Sequence, residues 1–200
     1  MTPDPIATST IAQRAFAAME LAPISSYGDE SDQARAAREH YPAALDEVLE
    51  HYDWSFARQI FRLPMVAPAP GEVIDPVLRH AFRLPGDLLA LRHVYGGDKA
   101  AWRIDGDLLR SALQAQPVIR ATMRPLREAD MPALFRAAVA LQLAVTLSAR
   151  FVTTRTKRVD LKADLADAIY AAKEHDAHTA SAARMDGLPE QPDWAREAIL

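Results

Sequence analysis

Two histidines near the end of the chain have the residue types and the spacing of a metal site. His175 and His178 lie three positions apart in a stretch with helical periodicity, and Asp176 lies between them. Residues three apart share a helix face, and two imidazoles with a carboxylate are ligands that Zn²⁺ accepts. The spacing places no further ligand, so we predict no bound metal. An α-helical metal-dependent enzyme that uses His175 and His178 stays an alternative.

The rest of the sequence contains no recognisable catalytic motif. It contains neither a Gly-x-Ser-x-Gly nucleophile elbow nor a phosphate-binding loop, and the other histidines fall on different predicted elements. Asp105-Gly106-Asp107 has two calcium-type ligands but lacks the distal glutamate of a calcium loop, so a hairpin turn explains it better. We therefore expect no enzyme and no cofactor. The remaining histidines are His40, His51, His80 and His93.

Charge is distributed unevenly along the chain. The formal net charge of −4 argues against a protein that wraps nucleic acid through its phosphates. Residues 120–162 are nevertheless basic, and such asymmetry suits a subunit contact or a DNA-contacting face. We predict a subunit interface, and a DNA-binding regulator that uses residues 150–162 stays an alternative. The predicted interface residues are Arg150, Arg155, Lys157 and Arg158.

Apolar residues recur at helical spacing in four stretches: residues 10–21, 34–52, 132–151 and 160–184. Pro42 lies inside the second stretch, where it has no N–H to donate, so we expect a kink or a break there. The third helix is apolar on nearly all sides and must be covered by other elements. Its uncharged run is too short to cross a bilayer, which indicates a buried helix and no membrane span.

Short segments with strand character separate the second helix from the third. They are residues 77–84, 88–95, 101–104 and 118–123, and an exposed proline-rich loop, residues 63–76, precedes them. Gly96-Gly97 and Asp105-Gly106 suit tight hairpin turns. The predicted fold class is mainly α: an antiparallel helical bundle with a small antiparallel β-sheet insert and an extended C-terminal tail.

The size and composition of the chain favour one core. With 200 residues, half of them hydrophobic, we predict a single domain over residues 1–187, with its helical core in residues 10–62 and 131–184 and a β-rich insert in residues 77–123. Residues 188–200 form the predicted docking tail. The sequence has no cysteine and its start lacks the apolar run of a signal peptide, so we expect synthesis in the cytoplasm.

Aromatic residues are concentrated where the second helix ends. Trp54 and Phe56 lie in this stretch, and we predict that they belong to the core, since large rings dominate core burial. The tail differs because it follows the last helix and has little core left to join. Its apolar residues therefore suit a groove on a partner. They are Trp194, Ile199 and Leu200.

The order of these parts resembles the head–tail adaptor family of tailed bacteriophages, which includes the tail tubular protein A type and the adaptors of gene transfer agents. The resemblance covers about residues 11–184. Its motifs are a helix end reading Leu-x-x-x-x-Trp-x-Phe-Ala, a Leu-Pro-x-Asp-Leu segment before a strand, and an alanine-rich helix followed by a helix with Asp-Ala near its end. The matching residues are Leu49, Trp54, Phe56 and Ala57, then Leu84, Pro85, Asp87 and Leu88, then Asp176 and Ala177.

The resemblance implies an architectural role at the neck of a virion or phage-like particle. Such adaptors form a ring of about twelve subunits that docks on the portal protein and receives a stopper or tail protein below. DNA passes through the lumen without sequence-specific binding, and no membrane or cofactor is involved. On this reading the tail residues Trp194, Ile199 and Leu200 bind the portal, and Trp54, Phe56, Leu84, Pro85 and Asp87 form the family-signature core.

Overall fold

The computed structural model describes residues 10–24, 28–68, 71, 73–96 and 101–179. In this part of the chain, four α-helices accompany seven strands in two antiparallel sheets. The fold is therefore an α+β mixture, and the predicted mainly helical bundle with a small sheet insert is wrong. The predicted extended tail, residues 188–200, lies outside the described residues.

The four predicted helices are present, with different bounds. Helix α3 begins directly after Pro132, as its fixed φ favours, and packs against the other three helices. By length and composition α3 could cross a membrane, but core helices pass the same test, and α3 buries Phe135, Leu143 and Leu147 against its neighbours. The prediction of a covered helix is confirmed. The helices are α1 (Thr10–Ala18), α2 (Asp32–Glu50), α3 (Ala133–Phe151) and α4 (Arg155–Thr179).

Helix α1 ends three residues earlier than its apolar pattern predicts. Glu20 adopts a left-handed conformation with φ of 61°, which reverses the chain. The N–H of Leu21 then donates to the carbonyl of Phe16 at 2.9 Å, and the N–H of Glu20 donates to that of Ala17 at 2.9 Å. This pair of hydrogen bonds is a Schellman motif, which satisfies carbonyls that the helix end would leave unpaired.

Helix α2 runs without interruption through Pro42, so of the predicted kink or break the break is wrong, and the kink stays a prediction. Ser31 caps the N-terminus of the helix, because its hydroxyl accepts a hydrogen bond from the N–H of Ala34 at 3.1 Å. Around the proline, Tyr41, Ala44 and Leu45 are all buried in the core. Their packing outweighs the local cost of the missing hydrogen bond.

The strands form two sheets of antiparallel pairs. The first has the order β1-β7-β4 and the second the order β2-β3-β6-β5. Both contribute to one apolar cluster, in which Phe82 and Leu109 of the second sheet meet Val94 and Ile119 of the first. The strands are β1 (Arg58–Arg62), β2 (Met65–Val66), β3 (His80–Arg83), β4 (Leu88–Tyr95), β5 (Trp102–Asp105), β6 (Leu108–Ser111) and β7 (Val118–Met123).

The strand predictions fail in identifiable places. Strand β1 lies in a stretch assigned to the helical core, β2 lies in the predicted loop, and β6 was missed. The Asp105-Gly106 hairpin is confirmed, since β5 pairs with β6 and Gly106 has φ of 63°. A hairpin at Gly96 is wrong because β4 pairs with β7 in one sheet and β5 pairs with β6 in the other.

Candidate functional site

Four aromatic rings meet where α2 ends and the first sheet begins. Trp54 lies at the centre with 1% of its surface exposed. Its ring centroid is 4.9 Å from that of Phe135 and 5.2 Å from that of Tyr52, and both pairs are edge-to-face. The ring centroids of Phe56 and Phe135 are 4.8 Å apart. The indole N–H donates to the carbonyl of Val48 at 2.9 Å. We call Tyr52, Trp54, Phe56 and Phe135 the aromatic cluster.

A buried carboxylate from the last helix binds the turn that carries this cluster. Asp176 is only 5% exposed, and its two oxygens lie 3.1 and 3.2 Å from the backbone nitrogen of Ser55. The Ser55 hydroxyl donates to the same carboxylate at 2.7 Å. Because Ser55 begins a single 3₁₀ turn, Asp176 satisfies an N–H that has no partner inside the turn. This contact joins the end of α4 to the start of the first sheet.

Arg92 on β4 binds the backbone just before this turn, where α2 ends. One guanidinium nitrogen donates to the carbonyls of Leu49, Glu50 and Tyr52 at 2.9, 3.0 and 2.8 Å, and Nε donates to the Thr122 hydroxyl at 2.8 Å. A cation at a helix C-terminus is favoured by the exposed carbonyls and the helix dipole. Burial lowers the pKa of Arg92 from its ordinary value, although the charges of Asp53 and Glu50 oppose that shift. The group still carries its charge at neutral pH.

Two further carboxylates tie α2 and its exit to the first sheet. Asp53 lies 3.2 Å from Nε of Arg58 on β1 and 3.2 Å from Nε of Arg120 on β7. Asp46 on α2 pairs with Arg124 through two hydrogen bonds, one of them 2.8 Å long. The hydrogen bond that Arg124 donates to Asp46 raises the pKa of Arg124.

These polar contacts and the aromatic cluster surround one turn of chain. All of the arginines come from the sheet or from the segment after it, and all of the carboxylates come from helices or the α2 exit. The arrangement can fix the helices on the sheet, because each of its carboxylates pairs with an arginine or with Ser55. We call the polar set the junction. It consists of Asp46, Asp53, Ser55, Arg58, Arg92, Arg120, Arg124 and Asp176.

Replacing Arg92 with leucine tests the role of the capping guanidinium. We expect the free energy of unfolding to fall by about 2–3 kcal/mol, because three carbonyls at the end of α2 lose a charged donor. Urea denaturation followed by circular dichroism measures this change. Arg62→Leu, on the exposed end of β1, is the matched control and should change stability by less than about 0.5 kcal/mol. Equal losses for the two variants would contradict the capping role.

The structure separates the residues of the candidate metal site. His175 and His178 are exposed, whereas the Asp176 carboxylate is buried on Ser55. Within the described residues, no group of three or more histidine, aspartate or glutamate side chains is placed to hold a metal ion. The geometry therefore gives the metal hypothesis no support.

The four residues predicted at a subunit interface do not form one free patch. Arg150 donates to Asp32 at 3.3 Å, and Lys157 donates to Glu20 at 2.7 Å, a bond that raises the pKa of Lys157. These two cations therefore have acidic partners in the same chain. Arg155 is exposed, and Arg158 is half-buried on α4.

The remaining signature residues lie in the segment that connects β3 of the second sheet to β4 of the first. Leu84 is buried in the apolar cluster shared by the sheets, Pro85 is half-buried and Asp87 is exposed. Asp87 lies close enough to Arg124 for its charge to raise the pKa of that guanidinium. The predicted portal-binding residues Trp194, Ile199 and Leu200 lie outside the described residues.

A small cleft opens at the far end of the sheets, between β4 and β5. Its volume is about 260 Å³, and it is lined mainly by apolar groups that include Val94, Trp102, Leu109 and Leu113. The lining residues in the described part of the chain carry no charge. The described lining residues therefore supply no acid, base or cation that would suggest a reaction.

Sequence reasoning identified Trp54 and Phe56 but missed the polar residues around them. Arg92 had a usable signal, because it is the single arginine in the strand Leu88–Tyr95, whose other residues apart from His93 are apolar or aromatic. A buried position for such a residue demands a partner. Ser55 and Asp53 had no comparable signal.

Comparisons with known proteins add no assignment. No protein-family model matches the chain, and no curated protein is similar to it.

Proposed function

We propose that this chain is a structural head–tail adaptor of a phage or a phage-like particle such as a gene transfer agent. It forms a ring of about twelve copies between the portal protein and a stopper or tail protein. DNA passes through the ring without sequence-specific contacts. The role is architectural, and the chain acts without a cofactor at the particle neck.

The contact between Ser55 and Asp176 carries this proposal. Ser55 is the variable position of the Trp-x-Phe-Ala motif, and it is joined by hydrogen bonds to Asp176 of the Asp-Ala motif, 121 residues later in the chain. The contact supports the proposal because it brings the segments that carry the two motifs to one junction.

The Leu-Pro-x-Asp-Leu motif also has a structural role that suits a scaffold. Leu84 and Pro85 connect β3 of the second sheet to β4 of the first, and Leu84 is buried between the sheets. Asp87 lies near the Arg124–Asp46 pair, which links the segment after β7 to α2. All three motifs therefore fix the relative placement of helices and sheets.

The alternatives have weaker support. A metal-dependent enzyme would need the Asp176 carboxylate that Ser55 occupies. A DNA-binding regulator would need free cations on residues 150–162, but Arg150 and Lys157 pair with Asp32 and Glu20, so fewer cations of this segment are available to phosphates.

Deletion of residues 188–200 tests the proposed portal contact. We expect the fold to persist, because the junction and both apolar clusters lie within residues 10–179, while filled heads fail to join tails. Electron microscopy of particles made with the deletion measures joining, and thermal unfolding of the purified chain checks the fold. Within the tail, Trp194→Ala should reduce joining, and Gln191→Ala is the matched control.

Two results would contradict the proposal. Particles with normal necks from the deletion variant would remove the docking role of the tail. A labelled chain that is absent from the necks of assembled particles would remove the adaptor function altogether.

A further inference from the structure

Helix α4 carries an apolar stripe on the side that faces away from α3. Val159, Ala163, Ala166 and Tyr170 follow one another at intervals of four, three and four residues, and all are exposed. Val159 is 57% exposed and Tyr170 is 64% exposed. This is the spacing of a coiled-coil seam. The opposite face of α4 packs on α3, and its buried or half-buried apolar residues are Leu161, Leu165, Ala168 and Ala172.

Charges of opposite sign flank this stripe. At 3.6 residues per turn, Arg155 and Lys162 project on one side of it, whereas Asp160, Asp167 and Glu174 project on the other. All five side chains are exposed. We call the stripe with its two charged flanks the outer α4 face. The face is self-complementary, because it offers one basic edge and one acidic edge.

The charge pattern selects the direction of pairing. In a parallel pair of helices, each flank meets the opposite flank of the partner, so Arg155 faces Asp160 of the other copy and Lys162 faces Asp167 of the other copy. In an antiparallel pair, like flanks meet, and acidic residues oppose acidic residues. Like charges that face each other across an interface are unfavourable. The pattern therefore favours parallel helices.

We propose that a second copy of this chain binds the outer α4 face, with the two α4 helices parallel. Because both copies use the same face, the contact is two-fold and closes at a dimer, so it is a contact of the free chain and is not the repeating contact of the proposed ring. It also revises the predicted subunit interface: Arg155 belongs to the contact, whereas Arg150 and Lys157 are engaged within their own chain.

Single-cysteine variants test the contact directly, because the chain has no cysteine of its own. Under mild oxidation, we expect Ala163→Cys to form disulfide-linked dimers at least about tenfold faster than Ala43→Cys, because pairing raises the local thiol concentration. Ala43 is the control because it is also an exposed alanine on a helix, α2. Equal rates would overturn the proposal. When Ala163→Cys and Ala166→Cys are mixed, faster formation of the mixed dimer than of either like dimer would indicate antiparallel pairing and overturn the parallel arrangement.

Charge reversal supplies the second test, read with the Ala163→Cys cross-link. Arg155→Glu with Lys162→Glu makes both flanks acidic, and Asp160→Lys with Asp167→Lys makes both flanks basic. With Ala163→Cys in each chain, either charge-reversal variant alone should form disulfide-linked dimers no faster than Ala43→Cys. An equimolar mixture of the two variants should again form them faster. Fast disulfide formation by either variant alone would contradict the proposal, and so would slow disulfide formation in the mixture. Circular dichroism checks that each variant is folded.

These measurements use the purified chain and need no particle. A parallel cross-link in a chain that is absent from particle necks would keep the α4 contact and remove the adaptor function. A chain that is found in necks but forms no cross-link would keep the adaptor function and remove the α4 contact.

Discussion

Replacing Trp54 with alanine is expected to lower the free energy of unfolding by about 3–5 kcal/mol, a large part of the 5–15 kcal/mol typical of a domain. The reason is the position of the indole ring, which is 1% exposed and contacts Tyr52, Phe56 and Phe135. Alanine leaves a cavity at the centre of the aromatic cluster and removes the donor to the Val48 carbonyl.

Urea denaturation of the purified variant measures this loss. Trp54→Phe keeps a ring in place but removes the indole N–H, so we expect a smaller loss, of about 1–2 kcal/mol. Trp102→Ala is the matched control because Trp102 is a tryptophan on an exposed edge strand, and we expect a change below about 1 kcal/mol. A Trp54→Ala variant as stable as Trp102→Ala would show that the aromatic cluster contributes little.

Replacing Asp176 with alanine is expected to lower the free energy of unfolding by about 2–3 kcal/mol, the range for hydrogen bonds to a charged group. The substitution leaves the backbone N–H and the hydroxyl of Ser55 without their acceptor at a partly buried position. It also releases the end of α4 from the first sheet. Hydrogen exchange should therefore rise at Ser55 and in the last turns of α4, in addition to the shift in urea midpoint.

Three variants separate this effect from a general loss of charge. Asp164→Ala removes an exposed carboxylate from the same helix and should change stability by less than about 0.5 kcal/mol. Ser55→Ala and the double variant Ser55→Ala with Asp176→Ala complete a double-mutant cycle. We expect a coupling energy of about 1 kcal/mol or more, as neighbours in one network give. Strictly additive losses would mean that the two side chains do not act through each other.

Periodic patterns predicted the elements that are long or regular. The four helices follow from apolar spacing, and strands β4 and β7 have the bounds that the sequence predicted. Strand β1 was missed because it follows α2 and a 3₁₀ turn closely, and five residues are too few to show a period. Strand β6 has only four residues, although the Asp105-Gly106 turn already required a partner for β5.

The fold class was wrong for the same reason. Short strands that carry little pattern of their own build most of the second sheet, and their stability comes from partners distant in sequence. Pro42 shows the opposite error, because a local rule predicted a kink or a break and core packing overrides the break.

The junction could be predicted only in part. Trp54 was read as a core residue from its size, but Asp176 was read as a possible metal ligand because its neighbours are histidines. Its actual partner, Ser55, lies 121 positions earlier, and no spacing rule connects the two. Arg92 binds carbonyls about 40 positions away for the same tertiary reason.

The long separation between Ser55 and Asp176 bears on how the chain is made. Helices α1 and α2 both pack on α3, which follows them by more than eighty residues, and the turn at Ser55 waits for a carboxylate near the end of the last helix. A nascent chain on the ribosome therefore holds α1 and α2 without their main partner until α3 has been translated. That interval is when chaperones and proteases have access to these apolar surfaces, so the yield of folded protein depends on how soon α3 and α4 emerge.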